Sequence, residues 1–351
     1  MTGTTPERGT GAVTRRPSAQ RAAGLPGVVV AGVTAIISGL SVFVNSYGVH
    51  AIASPSVYTT AKNLVSAVVL AVCTFGAWRL WRRWSGSAPA RFVSVQGERR
   101  ALPGVEQTGW RTRRVLRWIG LAYVGIVGGG LAFVLFFNGL ADTTATPAAF
   151  WRDTLVIWVA VLAVPFLHER LTWWNVAAIA LLVVGEVAVA HGVGHLADSR
   201  GELLVLAASM LWAVEVVVAK VLLRDIAPAA VCLVRMGIGT VTLVAYLAAS
   251  GALHALVSLD ATQVGWALLT GLLLSAYVAT WMTALARARA LDVTSVLVGS
   301  ALATALLQAI SGTASLAPEA LGLMLIAVGT GIVLWMGLRH PAVGRREAAS
   351  G

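Results

Sequence analysis

Residues 149–170, "AFWRDTLVIWVAVLAVPFLHER", form an apolar run long enough to cross a bilayer as a helix, and they carry a fault. Arg152 and Asp153 stand side by side in the run, and His168, Glu169 and Arg170 close it. A charge at mid-bilayer costs roughly 2.5–3.5 kcal/mol on insertion scales. Such charges persist when they are paired or line a polar cavity, so this stretch points both to a membrane fold and to the places where function is to be sought.

The rest of the chain agrees. Of 351 residues, 58% are hydrophobic and 12% charged, and mean hydropathy is +0.80; a soluble domain carries roughly 25% charged residues. Ten runs of spanning length follow one another at 27–47, 57–78, 118–138, 146–167, 173–191, 202–222, 229–249, 263–285, 293–313 and 319–338. Alternating segments of barrel type are absent from the pattern. The expected fold is an all-α polytopic membrane protein of ten transmembrane helices. The first run follows the basic leader Arg8, Arg15, Arg16 and Arg21, but it exceeds a signal core and nine more follow, so it reads as a retained helix.

Charge gives the orientation. The tail 1–26 holds four Arg and the stretch 79–117 ten. Arg170, Arg224, Arg287, Arg289, Arg339, Arg345 and Arg346 fall on the same side, and Arg200 alone falls on the other. The positive-inside rule then predicts a plasma (inner) membrane protein with both termini, including the tail 339–351, in the cytoplasm. The loop 79–117 is expected to touch anionic lipid headgroups. The net charge of +11 is thereby used up at the membrane face, and a nucleic-acid partner is not expected. Cys73 and Cys232 lie within spans and imply no disulfide or thiol chemistry.

The chain repeats itself. "FFNGLADTTA" (136–145) and "WMTALARARA" (281–290) align at an offset of 145, and Lys62 aligns with Arg235 at 173; the longer loop after the second helix accounts for the difference. The halves are expected at 27–191 and 202–338. Five helices per half is an odd number, so the second copy enters from the opposite side, with Asp142 where its repeat position holds Arg287. Two inverted five-helix repeats are an architecture of secondary transporters.

The stretch from "GLADTTATPAAFW" through "LHERLTWWNVAAIALLVVGEVAVA" resembles the fourth and fifth helices of the EamA-like drug/metabolite transporters, whose fourth helix closes on a Glu-Arg pair before a Leu-Thr step: here Glu169-Arg170, then Leu171 and Thr172. "LWAVEVVVAKVLL", "VCLVRMGIG" and "TWMTALARARALDVTSVLVGS" are similar to the family's later helices, and Arg235 matches its recurrent Arg. "AISGTASLAPEALG" departs from the family by lacking the second Glu-Arg closure, and Arg152-Asp153 is not a usual family feature. The resemblance implies a carrier of small metabolites or drug-like molecules, an exporter among them, with no cofactor and no metal. A homodimer is compatible with it.

Within the spans, Lys62, Arg152, Asp153 and Glu186 are expected at one depth, toward the outer face, and Glu215 with Arg235 at another, toward the inner; each set sums to zero charge. Arg152 would pair with Glu186 or Asp153, Asp153 with Arg152 or Lys62, and Glu215 with Arg235. Either these pairs are structural or they line a substrate cavity together with Tyr58, Asn63 and Gln308, which belong to polar stripes on helices two and nine. Ser38, Ser41 and Asn45 offer a further polar face on helix one. Glu215 and Glu186 are the acids for any proton coupling, Glu215 the favoured one because it shares its depth with Arg235. Lys220, near a helix end, is expected to snorkel. Glu169 and Arg170 read as a clamp or gate, and the glycines of "GIVGGG" (125–130) as points of close helix approach. His191 and His195 read as a surface loop rather than a metal site. An intramembrane enzyme lacks a mid-span histidine, and a scaffold or sensor lacks an appended domain, so these are the alternatives to a carrier.

Overall fold

The computed structural model describes residues 26–52, 54–85, 107–143, 145–190, 199–313 and 316–339. All regular elements among them are helical. They are α1 (Gly27–Ala51), α2 (Pro55–Ser85), α3 (Gln107–Ala122), a π-helical stretch (Tyr123–Leu131), α4 (Ala132–Ala141), α5 (Ala145–Asp153), α6 (Leu155–Leu167) and α7 (Trp173–Val189). The second half adds α8 (Arg200–Leu222), α9 (Pro228–Ala249), the short α10 (Leu253–Val257), α11 (Ala261–Arg287), α12 (Ala290–Val298), α13 (Ser300–Ile310) and α14 (Ala320–Arg339). Nine spans are long and apolar enough to cross a membrane among the described residues, and α7, at 17 residues, is a tenth apolar helix. α3, the π stretch and α4 form one span; α5 with α6, and α12 with α13, form two more. Apolar side chains such as Val72, Ile36, Trp173 and Val241 stay exposed on the bundle's outside, where lipid replaces water as the solvent.

Several boundaries are set by local chemistry. Thr172 begins α7: its Oγ1 accepts from Asn175 N–H, and the Asn175 side chain accepts from Thr172 N–H in return. The Leu171-Thr172 step is thus a helix start. Asp260 and Gln263 do the same for α11, and Ser199 Oγ accepts from Glu202 N–H at the start of α8. α6 ends at His168, whose left-handed φ of 56° lets the N–H groups of His168 and Glu169 both reach the Ala163 carbonyl.

The packing has approximate two-fold symmetry. α1 lies against α11, and its counterpart α8 lies against α4 and the π stretch. α1 also packs on α12 and α13, as α8 does on α5 and α6. α2 meets α9 and α7 meets α14, and α6 meets α12 where the fourth span touches the ninth, so three spans each pack on their own repeat mate. Every first-half helix therefore finds its main partners in the second half, and the fold is two inverted five-helix repeats closed on each other. At the crossing of the third and seventh spans, a Cβ on Gly239 would lie 2.4 Å from the Gly129 carbonyl. Only two glycines allow that approach. α7 and α14 touch similarly through Gly185 and Gly322.

The fault in the opening stretch becomes a break. Thr154 tightens the helix between α5 and α6, with φ −57° and ψ −13° and its carbonyl accepting from Ile157 as well as Trp158. Gly299 does the same between α12 and α13, with φ −57° and ψ −9°. These positions are 145 apart, the offset read from the sequence. The fourth and ninth spans, repeat mates that pack against each other, are both discontinuous at the same place.

Candidate functional site

Arg152 and Asp153 are the last residues of α5, directly before the break. The arginine grips the neighbouring carboxylate with two groups, Nε at 2.9 Å from Oδ1 and Nη2 at 3.1 Å from Oδ2. The pairing left open by the sequence is therefore Arg152 with Asp153. Glu186, on α7, is 7% exposed, and its Oε1 has no hydrogen-bond partner. Arg152 and Asp153 are the charges that act on it. Trp151, beside them, donates its indole N–H to Glu202 at 3.0 Å. The second repeat has Leu297 and Val298 at the matching positions. This charge cluster belongs to one half only.

The other pair is tighter. Arg235 Nε donates to Glu215 Oε1 at 2.5 Å and Nη2 to Oε2 at 3.2 Å, with both side chains buried. Its floor is the π-helical stretch. The widened turn offers the Gly128 carbonyl, which accepts from Trp212 at 3.1 Å and from Arg235 at 3.5 Å. Gly128 itself faces the carboxylate: a Cβ there would come within 2.2 Å of Glu215 Cδ. The "GIVGGG" glycines thus admit an ion pair as well as a helix.

Lys62 stands apart. Tyr58, Thr59, Lys62, Asn63 and Ser66 are all buried, so the polar stripe of α2 faces the bundle interior. Lys62 Nζ donates to Asn45 Oδ1 on α1 at 3.1 Å, which also accepts from Tyr58 at 2.6 Å. The ammonium lies 4.4 Å from the Phe137 ring centroid and 5.0 Å from that of Tyr58. No carboxylate pairs with it among the described residues. Of the two cations offered to Asp153, the structure pairs it with Arg152 and not with Lys62, so residues expected at one depth do not all meet. Phe137 stacks on Phe133 with ring centroids 6.3 Å apart, and Arg235 lies 5.6 Å from Phe133. Lys62 and Arg235, repeat mates, thus share one aromatic wall from α4.

Tyr277, on α11, was not singled out from the sequence. It lies within electrostatic reach of Arg235, Arg152, Glu215 and Asp153 and stacks on Trp281. A lone tyrosine in an apolar span carries no pattern that distinguishes it from packing. Gln308, near the end of α13, makes no side-chain hydrogen bond to either pair.

Beyond the end of α6, Glu169 accepts from Ala290 N–H at 2.7 Å and Leu291 N–H at 3.1 Å. It caps α12 across the repeat interface, where the helix dipole favours an anion. Arg289 holds Asp292 and donates to the Arg170 carbonyl at 3.2 Å. The Arg170 side chain is exposed, so Glu169 makes the contact and Arg170 lends its backbone. Lys220 does not snorkel. Its ammonium donates to the Leu285 and Ala288 carbonyls, capping the end of α11. Residues 1–25, 86–106, 191–198 and 340–351, which hold both tails, most of the basic loop, His191 and His195, lie outside the described residues.

No curated protein sequence matches this chain. A crystal structure of another protein, 15% identical, superposes with a TM-score of 0.61 over 89% of this chain and 99% of that one, a likeness of fold. The profile of the EamA-like transporter family matches residues 101–190 and 199–335. With an all-helical bundle of apolar spans, paired repeats and buried charge at their interface, the chain belongs to the EamA-like transporter family, multi-pass membrane transporters of small molecules.

Proposed function

We propose that this protein is a secondary carrier that moves a small anionic or zwitterionic molecule by alternating access, with the substrate seated between the repeats where Lys62 meets the Phe133–Phe137 wall. The observation that carries this reading is Lys62: a buried ammonium with one neutral acceptor and two ring faces. A charge in such a place calls for a counter-ion, and a carboxylate or phosphate brought by the substrate would complete it. Arg235, its repeat mate, already has Glu215, which explains why one of two symmetric cations is free to act. The breaks at Thr154 and Gly299 support rocking of the halves about a central site, as in other inverted-repeat carriers. The capped junction of Glu169 with α12 is read as the inner clamp that opens in the cycle. Both termini are assigned to the cytoplasm of the plasma membrane on the strength of the charge asymmetry.

The test is counterflow in proteoliposomes, using ligands first found by thermal stabilisation of the purified protein across a panel of organic anions, cations and neutral metabolites. Anions should dominate the hits. Lys62→Met should weaken the best anion about tenfold to a hundredfold, the worth of a charged hydrogen bond, while Lys62→Arg should keep most of the affinity. Hits confined to cations, or unaltered counterflow in Lys62→Met, would reject this site.

A further inference from the structure

Arg152, Asp153 and Glu186 meet where α5 ends against α7, and their charges do not balance. One guanidinium faces two carboxylates. Lys62, the cation that evens the count by depth, lies against Asn45 and Phe137 instead. Arg152 spends its fork on Asp153, so the excess negative charge falls on Glu186, whose Oε1 has no donor. An uncompensated carboxylate in this position is costly. Beside it is a pocket lined by Phe150, Asp153, Thr154, Leu182, Glu186 and Val298, with about 10 Å3 of free space, near what a single water needs. The pocket is far too small for a metabolite.

We infer that Glu186 is a proton-binding site, loaded from a water in this pocket and emptied into it as the carrier cycles. The step is simple acid–base exchange: a hydronium gives its proton to the Glu186 carboxylate and leaves as water, and the cluster becomes neutral. An alkali cation fits poorly. A cation needs several oxygen ligands, and this pocket is walled mainly by Phe150, Val156, Ile157, Leu182, Val183 and Val298, with both Asp153 oxygens already accepting from Arg152. Among the described residues, the charges acting on Glu186 are Arg152 and Asp153. Both come from α5; Val298 of α12 is apolar, and α14 presents Gly322 and Ile326 to the neighbouring Gly185. Tyr277 of α11 acts on Arg152 and Asp153. Glu215, the acid favoured by sequence, is matched one to one by Arg235 through both oxygens and has no charge left to neutralise. Thr154, the break residue, is part of the pocket wall, so any change in the bend between α5 and α6 reshapes the proton's surroundings.

This inference gives the carrier reading its coupling ion, but its test needs no transport. The infrared band of protonated carboxyl groups is recorded on the full-length protein in lipid nanodiscs while pH is stepped from about 5 to about 9. Wild type should show a titrating component that is missing in Glu186→Gln and displaced in frequency in Glu186→Asp, in choline chloride and sodium chloride alike. Spectra of both variants that superpose on wild type would overturn the assignment. A component that sodium removes at constant pH would also overturn it, in favour of an alkali-cation site. Because no substrate is present, a positive result stands even if counterflow fails, and a failed titration leaves the Lys62 reading intact.

Discussion

Asp153 and Glu215 each neutralise an arginine, but they do so in different settings. Glu215 and Arg235 come from separate helices and are both almost fully buried, so removing either leaves an orphan charge. Glu215→Gln should cost about 3–5 kcal/mol of stability, the usual loss on breaking a buried pair. Adding Arg235→Gln should restore part of that loss, read as a recovered thermal midpoint in detergent. Absence of any recovery in the double variant would mean that the two do not act as a pair. Asp153 and Arg152 are adjacent in sequence and somewhat more open, with 11% and 23% of their side chains exposed, and the same cycle there should give smaller values of the same sign. The sequence made these charges visible because hydrocarbon tolerates so few of them. It could not say which would meet. Helical depth is a single coordinate, and Lys62 shares it with Arg152 while touching other helices. Tyr277 was invisible for the opposite reason: an aromatic residue costs little in an apolar span, so nothing flags it.

At the scale of the element, hydrophobic run length located every span to within a few residues, except that α2 runs on to Ser85 and α3 begins already at Gln107. The breaks at Thr154 and Gly299 and the π-helical turn were not legible, because one residue with ψ near zero leaves the apolar pattern unaltered. What the sequence did display was the glycine run, and its meaning is sharper than close approach. The π turn turns Gly128 toward the Glu215 carboxylate, with no room for a methyl group. Gly128→Ala should therefore push the carboxylate off Arg235 and lower stability by about 1–3 kcal/mol for the overpacking alone, whereas Gly237→Ala, on α9 with nothing within 4 Å of its new Cβ, should be near neutral. Thermal unfolding of the two variants checks this directly. Equal midpoints would show that the third span moves aside easily and that the π turn does not fix the pair.

Across the whole molecule, inversion of the repeats and asymmetry of charge are two independent statements about the same topology. Five helices per unit require loops at equivalent places to face opposite sides, so Asp142 and Arg287, repeat mates, end on opposite faces. On that alternation, 21 of the 26 Lys and Arg are assigned to one face and Arg200 alone to the other, the remaining four lying within the expected spans. Arginines close to a span resist translocation, so the face that holds them is expected in the cytoplasm. A phosphatase reporter that is active only outside the cytoplasm should thus be silent when fused after residue 96, in the basic loop. It should be active when fused after Ser258, which follows α10 in the loop between the seventh and eighth spans. Activity after residue 96 would reverse the orientation and remove the basis for calling the Glu169 junction the inner clamp. Activity at both sites, or at neither, would break the alternation itself and with it the odd-numbered repeat, since two loops separated by five spans must lie on opposite sides of the membrane.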